Sequence, residues 1–344
     1  MPLLTTVRAS VLMVVSASIV TSSAAAQAQV PNAVAGKAFA NVPPASPAVP
    51  DLPATETIRT RVDEVNVVFT VTNSGGKFVS DLSLQDLEVL DNRLPPEKIS
   101  YFRQQADLPL RVALLVDLSD SIVSRFDYEK RAAAAFLKKV LRPQLDQAFL
   151  VGFGTEVKLF QDFTGDFDTL SRAIRNMKTG GNTRLYDAIQ FASEKLLRGA
   201  NATVSRNAII LISDGVDTYS RTLLYDAGQS ALRAQVMMYA LSTNQEHSDG
   251  YTRGEAVLKL LTTPTGGTVL SANSEGQMGR AFNKIKEALR SQYMVAYKPA
   301  DFQPDGTFRT IKIVPRNRGL LVNCRRGYFA PREDQDSARH ALAP

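Results

Sequence analysis

The sequence predicts an α/β protein with a mostly parallel sheet, joined to a small antiparallel β module built from strands at both ends of the folded part. Three observations carry that reading. The middle of the chain alternates continuous apolar runs with amphipathic helical stretches, and apolar runs without polar alternation are what strands covered by helices on both faces require. Short β-branched runs separated by turn residues occur before residue 111 and return after residue 290, the pattern of antiparallel strands. Neither flank has enough strands to bury a face alone, so the two are expected to share one core, with the α/β domain inserted between them.

Taken in order, the chain opens with Arg8, an apolar run over 9–20, and small residues that include Ala24, Ala25, Ala26 and Ala28. That order is expected of a secretory signal peptide over residues 1–28, cleaved after Ala26 or Ala28. Ser16 and Ser18 interrupt the run, which is shorter than the ~20 apolar residues a membrane span needs. No stable membrane insertion is therefore expected after cleavage, and the mature protein should be exported, periplasmic or secreted. Residues 29–54 carry Pro43, Pro44, Pro47 and Pro50 among Ala and Val and read as an extended linker. A flank over 55–108 should supply strands at 65–71, 87–90 and 99–102. The α/β domain follows over 109–290, a second flank over 291–332 should supply strands at 292–297, 308–314 and 320–324, and 333–344 is a polar tail.

Composition narrows the function. The net charge of +6 comes from 40 basic against 34 acidic residues; the basic ones are scattered without interleaved aromatics, so no nucleic acid is expected as a partner. The densest basic group, Arg316, Arg318, Arg325 and Arg326, reads as solvated strand faces. Cys324 is the single cysteine, which rules out an intramolecular disulfide, and its alternation with Val322 makes it a small strand residue. His247 and His340 lie in polar stretches outside any metalloprotease motif, so no nucleophile has a recognisable base. No catalytic residue is assigned, and the chain is not expected to be an enzyme.

The apolar run 114–116 leads straight into Asp117, Leu118, Ser119, Asp120 and Ser121. Alternate carboxylate, hydroxyl and hydroxyl thus stand at the carboxyl end of a buried parallel strand, where open α/β sheets bind ligands. The run 209–212 ends in Ser213, Asp214 and Gly215, while Gly180, Gly181, Asn182 and Thr183 lead into a helix near Arg184. Asp117, Ser119, Ser121, Thr183 and Asp214 offer five oxygen donors and no His or Cys, a set suited to Mg²⁺ or Mn²⁺ rather than zinc. With two carboxylates among the five, a bound dication keeps an open or water-filled position that an incoming Asp or Glu of a protein ligand would complete. That is binding chemistry rather than hydrolysis. Gly181, Gly215 and Asp187 are expected to support the loops, Asp187 also standing where a helix dipole favours a carboxylate.

Other motifs fall away. An EF-hand needs Gly where this sequence has Ile122 and Glu where it has Tyr128. Asp162, Asp166 and Asp168 read as helix capping ahead of Leu170, and Gly152, Phe153 and Gly154 as a hairpin turn rather than a phosphate loop.

The D-x-S-x-S at 117–121, the threonine within 181–188 and the Ser-Asp-Gly at 213–215 occur in an order that resembles the metal-ion-dependent adhesion site of von Willebrand factor type A domains. The resemblance spans 111–290. It implies a doubly wound, Rossmann-like sheet in which Ser119, Ser121 and Thr183 touch the metal while Asp117 and Asp214 hold it directly or through water. With the flanks around 68–71 and 326–328 included, the chain is also similar to the bacterial exported VWFA-related domain proteins, a group for which no biochemical activity follows. The expected function is metal-dependent protein binding, or adhesion, at the cell envelope. A structural scaffold whose metal only orders the loops is the alternative, and a hydrolase a third.

Overall fold

The computed structural model describes residues 64–104, 108–198, 205–244 and 253–332. The expected signal peptide, linker, polar tail and both histidines lie outside the described residues. In chain order the elements are β1 (Val65–Asn73), β2 (Leu87–Asp91), β3 (Lys98–Gln104), β4 (Leu110–Asp117), α1 (Phe126–Val140), β5 (Gln147–Phe153), β6 (Val157–Thr164), α2 (Phe167–Arg175) and α3 (Leu185–Arg198). Then come β7 (Arg206–Ser213), α4 (Leu224–Arg233), β8 (Met237–Ser242), α5 (Arg253–Thr262), β9 (Val269–Ser271), α6 (Glu275–Arg290), β10 (Tyr293–Lys298), β11 (Phe308–Pro315), β12 (Leu320–Cys324) and β13 (Gly327–Phe329).

The central sheet has six strands in the order β6-β5-β4-β7-β8-β9. All neighbours are parallel except β6, which folds back on β5 through the expected hairpin turn. Burial explains the unbroken apolar runs. On β4, Val112, Leu114 and Val116 pack with α1, α2 and α6, whereas Ala113 and Leu115 face α3, α4 and α5, so neither side tolerates a polar residue. From β4 the chain steps first to β5 on one side and later to β7 on the other. The strand order therefore reverses at β4, and this switch point opens a crevice at the carboxyl ends of β4 and β7. Asp166 caps α2, accepting from the backbone N–H of Asp168 and Thr169, while Asp162 pairs with Lys195 at 2.8 Å.

The antiparallel sheets draw on both flanks: one is β12-β1-β10-β3, the other β13-β11-β2. Val67, Phe69 and Val71 of β1 share a core with Val89, Tyr293, Val295, Ile311 and Ile313, while Val68 on the other face of β1 packs against the α/β domain. A buried polar knot ties the sheets together. Asp91, at the end of β2, accepts hydrogen bonds from Tyr297 Oη and Tyr328 Oη, each at 2.9 Å, and from Arg309 Nε at 2.8 Å. Among the described residues no helix is long and apolar enough to cross a membrane.

One basic side chain departs from expectation. Arg325 is not on a solvated face but 6% exposed. The turn after β12 folds down onto the α/β domain: Arg326 N–H donates to the Pro264 carbonyl at 2.8 Å. Gly266, at φ +83°, lets the backbone of Cys324 come so close that a Cβ there would stand 2.6 Å from its carbonyl carbon. Charge content alone gives no sign of that docking.

Candidate metal centre

At the switch point Ser119, Ser121 and Asp214 are joined by side-chain hydrogen bonds beside Asp117, with Thr183 on a neighbouring loop. Asp117 ends β4 with its side chain buried, accepting from Ser119 N–H and from Ser213 Oγ, each at 2.9 Å. The first bond makes Asp117 the head of a tight turn and aims the next two alternate side chains the same way. Ser119 Oγ and Ser121 Oγ lie 3.0 Å apart, and Ser121 Oγ donates to Asp214 Oδ2 at 3.2 Å. Asp214 Oδ1 in turn accepts from Val216 N–H at 3.0 Å, which holds the carboxylate in place after β7.

Thr183 sits on the neighbouring loop, clamped by backbone bonds from two sides. Gly181 N–H donates to Asp120 Oδ1 at 3.0 Å, and Gly180 N–H donates to the Leu118 carbonyl at 2.6 Å, which ties the loop to the turn after β4. Thr183 N–H donates to Thr218 Oγ1, and its carbonyl accepts from Thr218 and Tyr219, which ties it to the loop after β7. Gly181, at φ +89°, has no room for a side chain: a Cβ would fall 2.0 Å from Thr155 Oγ1. At Gly215, φ +80°, a Cβ would fall 2.3 Å from the Gly254 carbonyl oxygen. Asp187 stands apart from the donor chain; it accepts from Arg184 and from the N–H groups of Arg221 and Thr222, bracing the loop after β7.

Sequence reasoning missed two contributors. Ser213 bridges Asp117 and Gly215, and its only signal is a hydroxyl just ahead of Asp214. Glu129 is fully buried on α1, where it occupies the stripe that otherwise holds Phe126, Ala133, Phe136 and Leu137. A carboxylate on an apolar helix stripe is the readable sign. Arg125 Nε donates to Glu129 Oε1 at 3.1 Å and Arg125 Nη2 to Thr243 Oγ1 at 3.0 Å, while Glu129 Oε2 is buried without a hydrogen-bond partner among the described residues.

The electrostatics are those of a region short of positive charge. Burial pushes the Asp117 carboxyl up to about 6, against the lowering effect of the Ser119 bonds, and the Asp214 carboxylate adds to the rise. Burial likewise lifts Glu129 to about 7; Arg125 opposes the shift and Asp117 and Asp214 reinforce it. Among the described residues no three His, Cys, Asp or Glu side chains gather as a metal cluster, so a cation here depends on hydroxyl oxygens. The spacing suits one: metal–oxygen bonds of ~2.1 Å at right angles put neighbouring oxygens ~3 Å apart, and the Ser119–Ser121 and Ser121–Asp214 distances are 3.0 and 3.2 Å.

Residues 112–216, from β4 through the loop after β7, match the sequence profile of the von Willebrand factor type A domain. The matched stretch, similar to that class of domain, contains Asp117, Ser119, Ser121, Thr183 and Asp214. No curated protein matches the chain in sequence. Among solved structures it is similar to a mutant form of the PilB minor pilin from Streptococcus sanguinis, with 14% identity, 54% of this chain and 62% of that one covered, and a TM-score of 0.43. It is similar to the vWF domain of the type V pili tip protein Mfa5 from Porphyromonas gingivalis at 14% identity, 52% and 94% coverage, and a TM-score of 0.44. For BatB from Bacteroides thetaiotaomicron the figures are 18%, 52%, 98% and 0.42. The chain spans less than two thirds of the length of the first of these, the pilin.

Proposed function

We propose that the protein is a metal-ion-dependent protein-binding module of the bacterial cell envelope, of adhesion type and non-catalytic. In this reading Ser119, Ser121, Thr183, Asp117 and Asp214 hold Mg²⁺ or Mn²⁺, and the partner presents an exposed Asp or Glu. The observation that carries it is the run of oxygens Ser119 Oγ, Ser121 Oγ and Asp214 Oδ2, spaced at 3.0 and 3.2 Å beside a buried Asp117 that accepts hydrogen bonds from neutral groups. A hard dication supplies the missing positive charge and leaves a coordination position for an acidic side chain. Ser213 and the Ser119 N–H fix the Asp117 carboxylate, and the bonds that tie the 180–183 loop to Leu118, Asp120 and Thr218 support a role for Thr183. The export expected from residues 1–28 puts such a module outside the cytoplasm.

Calorimetry with Mg²⁺ and Mn²⁺ on the wild type, Ser119→Ala and Asp214→Ala tests the site. One saturable site per chain, lost in both variants, is expected; equal heats in all three would remove the site, and a preference for Zn²⁺ would revise its donors. Crosslinking capture from envelope extracts in Mg²⁺ against EDTA, with Asp117→Ala as control, tests the binding role. A metal that binds without changing what is captured would leave a scaffold whose metal orders the loops.

A further inference from the structure

At the end of the sheet opposite the metal edge, where β7 and β8 begin, a cavity of about 230 Å³ separates the α/β domain from β1 and β10. Two arginines line it. Arg325 is 6% exposed, its Nη2 donates to the Asn66 carbonyl at 2.8 Å, and its Nε is buried with no hydrogen-bond partner among the described residues. Arg206 is 2% exposed; its Nη groups donate to the carbonyls of Leu289 and Leu108 and to Gln292 Oε1.

We propose that this cavity is a binding site for a small oxyanion, a carboxylate or a phosphate, held by the Arg325 guanidinium with Arg206 beside it. A guanidinium carries five donors in a planar fork that matches such an anion, and a buried charge is ordinarily paired. Arg325 has no carboxylate pair among the described residues. The nearby acid whose charge it feels, Asp91, is already bound by Arg309, Tyr297 and Tyr328. The docking of Arg326 on Pro264 and of Cys324 on Gly266 fixes the backbone that presents Arg325 to the cavity. The volume is below the ~300–1,000 Å³ of pockets for drug-sized ligands, which suits an anion of few atoms. Val68 and Met294 supply an apolar wall and Gln235 a polar one. An occupant would touch both the β strands and the α/β domain, so binding should hold the two together.

The test uses the full chain in EDTA, which silences the metal edge, with ionic strength held constant by chloride. Inorganic phosphate and malonate are titrated while the thermal midpoint and binding heats are followed. A saturable rise of the midpoint with at least one anion is expected, and which of the two acts identifies the chemistry. Arg325→Gln should weaken that anion about tenfold or more. Should that variant fail to fold, Gln235→Glu decides: it places a carboxylate in the exposed wall of the cavity, and should raise the midpoint without added anion while blunting the response to it. A flat response of the wild type to both anions, or an equal rise in wild type and Gln235→Glu, would overturn the proposal.

Discussion

Asp91 and Asp117 are both the last residue of a strand, and both are almost completely buried, at 1% and 0% exposure. Their partners differ. Asp91 accepts from two phenols and from a guanidinium that lies 2.7 Å away and is itself buried. Asp117 accepts from neutral groups, Ser119 N–H and Ser213 Oγ, and shares its surroundings with a second carboxylate, Asp214. A buried charge that the chain neutralises itself fastens the fold, whereas one left without a counter-charge is costly unless something from outside supplies it. Arg325 repeats the second pattern with the sign reversed.

The largest test of the contrast removes the fastening region altogether. Deleting 292–344 takes away β10, β11, β12 and β13, which include the pairing partners of β1, β2 and β3. Limited proteolysis should then cut freely within 65–104 while the α/β elements keep their protection. If 65–104 stays resistant, the shared core is not what stabilises these strands. On a smaller scale, Asp91→Ala strands Arg309 inside the β module, and breaking a buried pair in this way costs about 3–5 kcal/mol, read as a lower urea midpoint. Asp117→Asn should do the reverse in metal-free protein at pH 8. It removes a carboxylate held ionised against its environment and should be neutral or stabilising by about 1–2 kcal/mol, while abolishing Mg²⁺ binding. Equal destabilisation by the two variants would erase the distinction between them.

Much of this is legible in the sequence, for identifiable reasons. The parallel sheet shows itself because strands buried on both faces, such as 114–116 and 209–212, have no polar alternation. The linked oxygens of Ser119, Ser121 and Asp214 can be picked out because strand ends and D-x-S-x-S spacing are local features. What stays hidden depends on distant partners. Ser213 gains its role only when β7 lies beside β4, and Asp91 only when β10, β11 and β13 close over it. Arg325 defies its reading as a solvated side chain because its burial comes from the turn after β12 meeting Pro264 and Gly266, some sixty residues earlier in the chain. The short β9 and β13, of three residues each, carry too few side chains to show a period.

The pH dependence follows from the same charge deficit, and its sign is set by the Asp117 environment. Asp117 is raised from 3.8 to about 6 and Glu129 from 4.5 to about 7. Across that window the native state binds more protons than the unfolded chain, so stability falls as pH rises, by linkage. The loss should begin near pH 4 and be complete only about one unit above the raised Glu129 value, with a total of about 1–3 kcal/mol after solvent and relaxation reduce the ideal value. Acids held low, such as Asp146 with Arg142, act in the opposite sense and below this window, since their stabilising effect is lost only as pH falls beneath about 4. Urea unfolding of EDTA-treated protein from pH 4 to 8 therefore isolates the contribution of Asp117 and Glu129 when wild type is compared with the Asp117→Asn, Glu129→Gln double variant, whose curve should be flatter. Saturating Mg²⁺ should cancel the decline in wild type alone, because a cation that needs ionised Asp117 binds the native state more tightly above pH 6. If Mg²⁺ leaves the wild-type curve unchanged, the charge deficit at Asp117 belongs to the fold and not to a cation site.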